Sequence, residues 1–392
     1  FKVVKASNIP MHIFNYMSPM KPRLKGIRGC FRIAKKFKEI APHIIHSFNY
    51  SSDYSEALSA KIARIPWVYT KKNMNWGGSS ANAWRLRTYL ASHIMAQNKD
   101  MINKFFMSKK NITLVQRGVS LEEFRKNNHT KNIRNEFNIT PDEKLIITVS
   151  NLAPVKGIEV LLQAFKKIIK SYYNTRLIII GSKDNSYGQQ MVDLSNELGL
   201  NGKVFFSGRR RDVNNFLHNA DLFILPTINK GEGSPVALLE AMAAGLLVLA
   251  SNVSGTKDIL EDSKQCLFHP DNPNDLAKKA IILMKMDLEN QYNLKDLLYN
   301  NVKKKYHIDL EVEKTQNIYK NLLEKKWIIT LIKNPLNIFK YLPFIFRKKF
   351  NQKYILIESD DWGLQGSLSK DGIEFLENKY GEEHFSRWTT DS

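Results

Sequence analysis

Short apolar runs alternate with stretches of helical period along most of this chain. From Glu143 the rhythm is regular. "EKLIITVSN", "TRLIIIGS", "KVFFSG", "DLFILPT" and "LLVLAS" predict buried strands, with the strand-like "QCLFHP" after them. "KGIEVLLQAFKKIIKSYY", the stretch Gly188 to Leu198, "RDVNNFLHNA" and "PNDLAKKAIILMKM" predict helices. Such alternation implies βαβ units and a parallel sheet.

The first part carries the same rhythm less cleanly. "MHIFNY", "HIIHSFN", "WVYTKK", "HIMAQN" and "ITLVQRG" are strand candidates, and "GIRGCFRIAKKFKEI" and "SEALSAKIAR" helix candidates. The polar stretch "RKNNHTKNIRNEFNITPDEK" separates the halves as a linker. The expected order is an N-terminal α/β domain over residues 1–125, a linker over 126–142, and a second α/β domain over 143–300. A helix over 301–326, a basic aromatic segment over 327–350 and the start of a further domain over 351–392 follow. Two such halves place a ligand crevice between them, at the carboxyl ends of the strands.

Composition changes the picture in two ways. The 392 residues carry a formal charge of +21, which suits anionic substrates, an anionic membrane surface or nucleic acid, or else a solvated Lys-rich surface. The basic residues form no known nucleic-acid module, so nucleic acid is not expected as a partner. Only two cysteines, Cys30 and Cys266, are present, with no CxxC pair, which fits a reducing cytosol. No run approaches the ~20 apolar residues of a membrane helix, and "FKVVKASNIP" is no signal peptide. A start at Phe1 suggests a fragment.

The most informative chemistry lies in "GEGSPVALLEAMAAG", which follows the strand ending at Thr227. Gly231 and Gly233 let backbone approach a ligand closely. Ser234 as N-cap and Pro235 in the first turn would open a helix whose tip suits phosphate. Glu232 stands in the loop, and Glu240 eight positions on among Leu238, Leu239, Ala241 and Met242. A buried carboxylate is costly unless hydrogen-bonded, and a pair of ligand hydroxyls would satisfy it. A diphosphate at the helix tip, with a sugar beside Glu232 and a ribose beside Glu240, accounts for both; a solvated loop acid and a carboxylate paired with a core donor are the alternative.

The segment resembles the E-x7-E signature of retaining glycosyltransferases of family 4, of the glycosyl transferases group 1 type. "VSNLAPVKGIEVLLQAF", "RLIIIGS" with Gly181, "VFFSGRRRDVNNFLHNADLFILPT" and "VQRGVSLEEF" resemble that family's other landmarks, in the same order. The similarity covers Asn8 to Lys325. It implies an α/β fold of two Rossmann-like domains facing each other across a crevice (GT-B), with the first domain N-terminally truncated. It also implies transfer of a sugar from a nucleotide diphosphate sugar to an acceptor hydroxyl, with retention. Glu232 would be the catalytic residue that positions the donor sugar. Lys156, Asn151, Gly208, Arg209, Gly233, Ser234, Val236 and Glu240 would bind the donor. Asn151 stands where the family often has arginine, so Lys156 would carry more of the phosphate charge, with Arg209 or Arg210 nearby.

Lys72 falls where the family often has a histidine, and it is no equivalent acid–base group at neutral pH. Lys72 and His46 are the acceptor-side candidates, His46 also reading as a crevice-wall or core residue. No cofactor or metal is expected, because no DxD follows a strand and no His/Cys cluster is present in the first 325 residues. Lipid-linked or saccharide acceptors and an anionic membrane surface are the expected partners, with the chain cytoplasmic and peripheral on the inner face of the cell membrane. Lys21, Arg23, Lys25, Arg28, Arg32, Lys35, Lys36 and Lys38 cluster around one helix for that contact.

Rival readings are an epimerase of the same fold, whose acid and histidine pairs find no place here, and a non-catalytic nucleotide-sugar-binding partner in polysaccharide assembly. "WIITLIKNPLNIFKYLPFIFRKKF" suits a membrane surface or a packed tail, with Pro335 and Pro343 breaking any long helix. "YILIESDDWG" resembles the opening strand of polysaccharide-deacetylase-like domains, with Asp360 and Asp361 as its acidic pair, or else is an acidic strand end.

Overall fold

The computed structural model describes residues 12–49, 53–75, 81–106, 111–125, 131–228, 232–333 and 354–357. Asp360, Asp361, Pro335, Pro343 and Gly231 lie outside the described residues. In chain order the elements begin α1 (Arg23–Ile40), β1 (Ile44–Ser47), α2 (Ser55–Ala63), β2 (Trp67–Lys71), α3 (Ala81–Leu90), β3 (His93–Ala96), α4 (Lys99–Phe105) and β4 (Ile112–Leu114). Then come β5 (Lys144–Val149), α5 (Ile158–Ser171), β6 (Thr175–Ile180), α6 (Ser186–Glu197), β7 (Val204–Gly208), α7 (Val213–Asn219) and β8 (Leu222–Leu225). The rest are α8 (Val236–Ala243), β9 (Leu247–Ser251), α9 (Thr256–Ile259), β10 (Leu267–Phe268), α10 (Pro273–Lys285), α11 (Leu288–Lys305), α12 (Ile308–Lys333) and β11 (Tyr354–Ile357).

The chain divides into two compact units, one of Phe1–Thr70, Ser80–Ser92 and Arg347–Ser392, the other of Lys71–Ser79 and His93–Phe346. In the first, β1 pairs in parallel with β11 on one side and β2 on the other. Both β1 and β2 are buried along their whole length, as strands covered on two faces are. The apolar face of α1, with Cys30, Ile33, Ala34 and Phe37, is buried. "MHIFNY" forms no strand over its described residues. Phe14 instead meets Phe37 edge-on at 6.0 Å, and just beyond the run the Ser18 N–H donates to Ser55 Oγ at 2.9 Å.

A buried ion pair braces this unit. Glu56 and Arg87 are both fully buried, with charged atoms 3.9 Å apart. Trp67 Nε1 and Ser47 Oγ donate to the Glu56 carboxylate at 2.8 and 2.9 Å. Arg87 donates to the carbonyls of Asp53 and Asn49 and lies over the rings of Trp67 and Tyr69. Burial raises the Glu56 carboxyl, and the Arg87 charge opposes that rise.

In the second unit β3 and β4 pair in parallel, and a six-stranded parallel sheet runs β10-β9-β8-β5-β6-β7. Its strands are the near-continuous apolar runs of the sequence, and Ile146, Ile147, Ile178, Ile179, Phe223 and Leu249 are fully buried. Each such side chain contributes about 1.5–3 kcal/mol. The apolar face of α5, with Leu161, Leu162, Phe165 and Ile168, joins the same core. The described part of the expected linker is packed: Ile133 and Ile139 belong to this core, and Arg134 pairs with Asp221 at 2.8 Å.

The strand order fixes where function can sit. From β5 the chain builds outward to β6 and β7 on one side, then crosses to β8, β9 and β10 on the other. The order reverses between β5 and β8, and ligands of open parallel sheets bind at the carboxyl ends of the strands at such a point.

Candidate active site

The loops that leave β5 and β8 carry the two expected charges. After β5, a tight turn at Pro154–Lys156 ends in Gly157, whose φ is +67°. A side chain at Gly157 would run into the carbonyl of Pro226, just past β8, so glycine is required there. The Ile228 N–H donates to Val155 O at 3.0 Å and ties the two loops together. Lys156 Nζ thereby reaches Glu232 Oε1 at 2.8 Å, with the two side chains 26% and 13% exposed. Thr227 Oγ1 donates to the same oxygen at 2.6 Å.

The backbone of the Glu232–Gly233 stretch is clamped from several sides. Glu232 N–H donates to Ser254 O at 2.9 Å. Asn98 Nδ2 donates to the carbonyls of Glu232 and Gly233 at 2.9 and 2.8 Å, while its Oδ1 accepts the Met101 N–H as N-cap of α4. A side chain at Gly233 would meet the Lys72 carbonyl and Gln97 Oε1, so glycine here serves a close approach.

The next residues correct one expectation. Helix α8 begins at Val236 after Pro235, and Ser234 makes no cap. Its Oγ instead accepts the Arg117 N–H at 3.2 Å. Val236 holds the first helical position, leaving first-turn N–H groups at the tip. The apolar face of α8, with Leu238, Leu239, Ala241 and Met242, is buried. Glu240 is half-buried beside it, and its carboxylate has no hydrogen-bond or ion-pair partner among the described residues. Burial raises its carboxyl above the ordinary value, and the Glu123 charge adds to the rise.

Asn151 is exposed just past β5. Gly208 ends β7, with its carbonyl accepting the Gly181 N–H at 3.0 Å, and Arg209 beyond it is exposed. Arg210 is committed to structure: it pairs with Glu136 at 2.5 Å and Asp212 at 2.9 Å and lies over Phe216. Two acids within reach of one guanidinium, and a ring against it, hold it away from a phosphate role. His46 is 4% exposed in the first unit, its Nε2 lies 2.7 Å from Thr70 Oγ1 and its ring stacks on Phe48, as its alternative reading as a core residue expects. Lys72 contributes its carbonyl beside Gly233. Its neighbour Lys71 is the buried lysine, bound to Asn73 and Asn75.

Thr227 and Asn98 are site residues that sequence reasoning missed. A hydroxyl directly after an apolar strand and before a glycine-rich loop is a signal that could have found Thr227. A cavity of about 760 Å³ elsewhere in this unit is lined by Lys99, Asp100, Lys257 and Glu261, and these charges pair with one another. Among the described residues no group of three or more His, Cys, Asp or Glu side chains could hold a metal ion.

Residues 129–305 match the model of the family described as glycosyl transferases group 1. An uncharacterized glycosyltransferase of Methanocaldococcus jannaschii is 26% identical over 305 residues, spanning 72% of this chain and 76% of that one. The lipopolysaccharide 1,2-N-acetylglucosaminetransferase of Salmonella typhimurium is 31% identical over 159 residues, 38% of this chain and 41% of its own length. The Anabaena protein HepE, solved in complex with UDP and glucose, shares the fold at a TM-score of 0.69 and 17% identity, over 81% of this chain and 88% of its own. Residues 129–305 thus resemble the glycosyl transferases group 1 family, and the chain is α/β with the parallel sheets of GT-B glycosyltransferases.

Proposed function

We propose that this glycosyltransferase moves a sugar from a nucleotide diphosphate sugar to an acceptor hydroxyl, with retention, in the synthesis of cell-surface polysaccharide or glycolipid. The observation that carries the reading is the meeting of Lys156 and Glu232 at the carboxyl ends of β5 and β8, beside the tip of α8. A diphosphate there would take the Lys156 ammonium and the free N–H groups of the helix tip, which favour negative charge. As the glycosidic bond breaks, charge grows on the departing diphosphate, and those groups would stabilise it. Glu232 would then face the donor sugar, and Glu240 would accept the ribose hydroxyls that its carboxylate is placed to bind. The UDP bound by HepE and the lipopolysaccharide chemistry of the Salmonella relative support this donor and acceptor class.

The membrane role is part of the same proposal. Leu24, Ile27 and Phe31 follow one another at helical spacing on α1 and are 79%, 39% and 58% exposed. Arg23, Lys25, Arg28, Arg32, Lys35 and Lys36 surround them, exposed as well. An apolar stripe among cations suits the face of an anionic bilayer. Among the described residues no helix is long and apolar enough to cross a membrane. A lipid-linked acceptor at the cytoplasmic face would be met there.

The test is release of nucleoside diphosphate from a panel of UDP-, GDP- and ADP-sugars, with the anomeric configuration of the product read by NMR. Turnover with retention is expected for one donor class. Inversion would contradict the retaining mechanism. Nucleotide binding without turnover would favour the non-catalytic partner instead.

A further inference from the structure

We infer that Thr227 is a positioning residue for Glu232, an inference that rests on the donor-site reading above. Thr227 is fully buried at the carboxyl end of β8, and its hydroxyl donates to Glu232 Oε1 at 2.6 Å. Lys156 Nζ donates to that same oxygen at 2.8 Å. Both donors converge on Oε1, and among the described residues neither these nor others bond Oε2. Oε2 is the oxygen left for a ligand.

The two donors differ in what happens when donor substrate arrives. A diphosphate competes for the charge of Lys156. An uncharged hydroxyl gains little from a phosphate while it is buried against a carboxylate, so Thr227 stays on Oε1. It must then hold the carboxylate alone. The last torsion of a glutamate is broad, and without a donor the carboxylate would turn freely. The branched Thr227 side chain is itself stiff, so its hydroxyl has a fixed place from which to act. Thr227 touches neither diphosphate nor sugar in this account; it acts only through Glu232.

Thr227→Val keeps the shape and removes the hydroxyl, and Thr227→Ser keeps the hydroxyl. Both are compared with the unaltered chain for thermal stability, for UDP, GDP and ADP affinity by calorimetry, and for turnover of the sugar nucleotide it uses. Thr227→Val is expected to lose about tenfold to a hundredfold in kcat, the range of one hydrogen bond to a charged group, with nucleotide affinity and KM held within about twofold. Thr227→Ser is expected to recover most of kcat. Unchanged kcat in a folded Thr227→Val, or a Thr227→Ser as impaired as Thr227→Val, would overturn the inference and leave the donor site standing. An unaltered chain that binds no nucleotide would overturn the donor-site reading and this inference together, and one that binds without turnover would overturn the transferase reading and this inference while leaving the nucleotide site standing.

Discussion

Lys156 and Glu232 lie 76 positions apart in the chain and 2.8 Å apart in space, where the strand order of the sheet reverses. Without ligand, each charge satisfies the other. A diphosphate would replace the carboxylate as the partner of Lys156. Lys156→Ala is therefore expected to weaken binding of a nucleoside diphosphate about tenfold to a hundredfold, while binding of the parent nucleoside changes little. Calorimetry with both ligands checks this. Equal losses for the two would place Lys156 away from the phosphates.

Glu240 gives a pH-dependent prediction. Its carboxyl is raised by burial, so the folded chain holds this proton at pH values where the unfolded chain has lost it. Its contribution to stability is then greatest below the ordinary carboxylate value and falls as pH rises through the raised one. Glu240→Gln is expected to flatten that fall and to raise the nucleotide-free Tm at neutral pH, while weakening nucleotide binding. Thermal melts from pH 4 to pH 8, with and without nucleotide, measure both effects; the range brackets the ordinary carboxylate value of ~4.3. A lower nucleotide-free Tm in Glu240→Gln would mean that the carboxylate has a structural partner.

Asn98 holds two carbonyls of the Glu232 loop and caps α4 with the same side chain. Asn98→Ala removes these three bonds, together with a weak one from Nδ2 to Met74 Sδ, and is expected to destabilise the fold by about 2–4 kcal/mol. Denaturant unfolding gives the value. A loss below about 0.5 kcal/mol, the scale of ordinary surface changes, would show that the clamp is dispensable.

The general architecture was legible because it rests on local periodicity. Buried parallel strands are continuous apolar runs, and α5 shows its core face at helical spacing, so β5 to β10 fall where the pattern put them. Glu232 and Glu240 stood out because a carboxylate among glycines, and another among apolar residues, break that pattern. What was not legible depends on partners far along the chain. Asn98 meets Glu232 across 134 positions and leaves no periodic trace. Arg210 is one of two arginines expected near the phosphates, but Glu136, 74 positions away, holds it. Ser234 has the composition of an N-cap, but its hydroxyl is taken by the Arg117 N–H.

The buried pair in the first unit should be sensitive to which partner is lost. Arg87→Met leaves the Glu56 carboxylate buried without its counter-charge and is expected to cost about 3–5 kcal/mol. Glu56→Gln keeps an acceptor oxygen for Trp67 Nε1, replaces the oxygen that accepts from Ser47 Oγ with an amide NH2, and leaves Arg87 without its counter-charge. The uncharged Arg87→Met/Glu56→Gln double variant is expected to recover part of the Arg87→Met loss, and a double-mutant cycle reads the coupling. Strictly additive losses would mean that the charges do not interact.

The proposed nucleotide-sugar site rests on Lys156 and Glu232, which meet, and on Glu240 further along α8. The most direct test is the thermal shift of the chain with UDP, GDP, ADP and CMP, run beside Lys156→Ala and Glu240→Gln. Stabilisation by one nucleoside diphosphate, reduced in both variants, is expected. No shift with any nucleotide in the folded chain, or a shift that both variants retain in full, would contradict it.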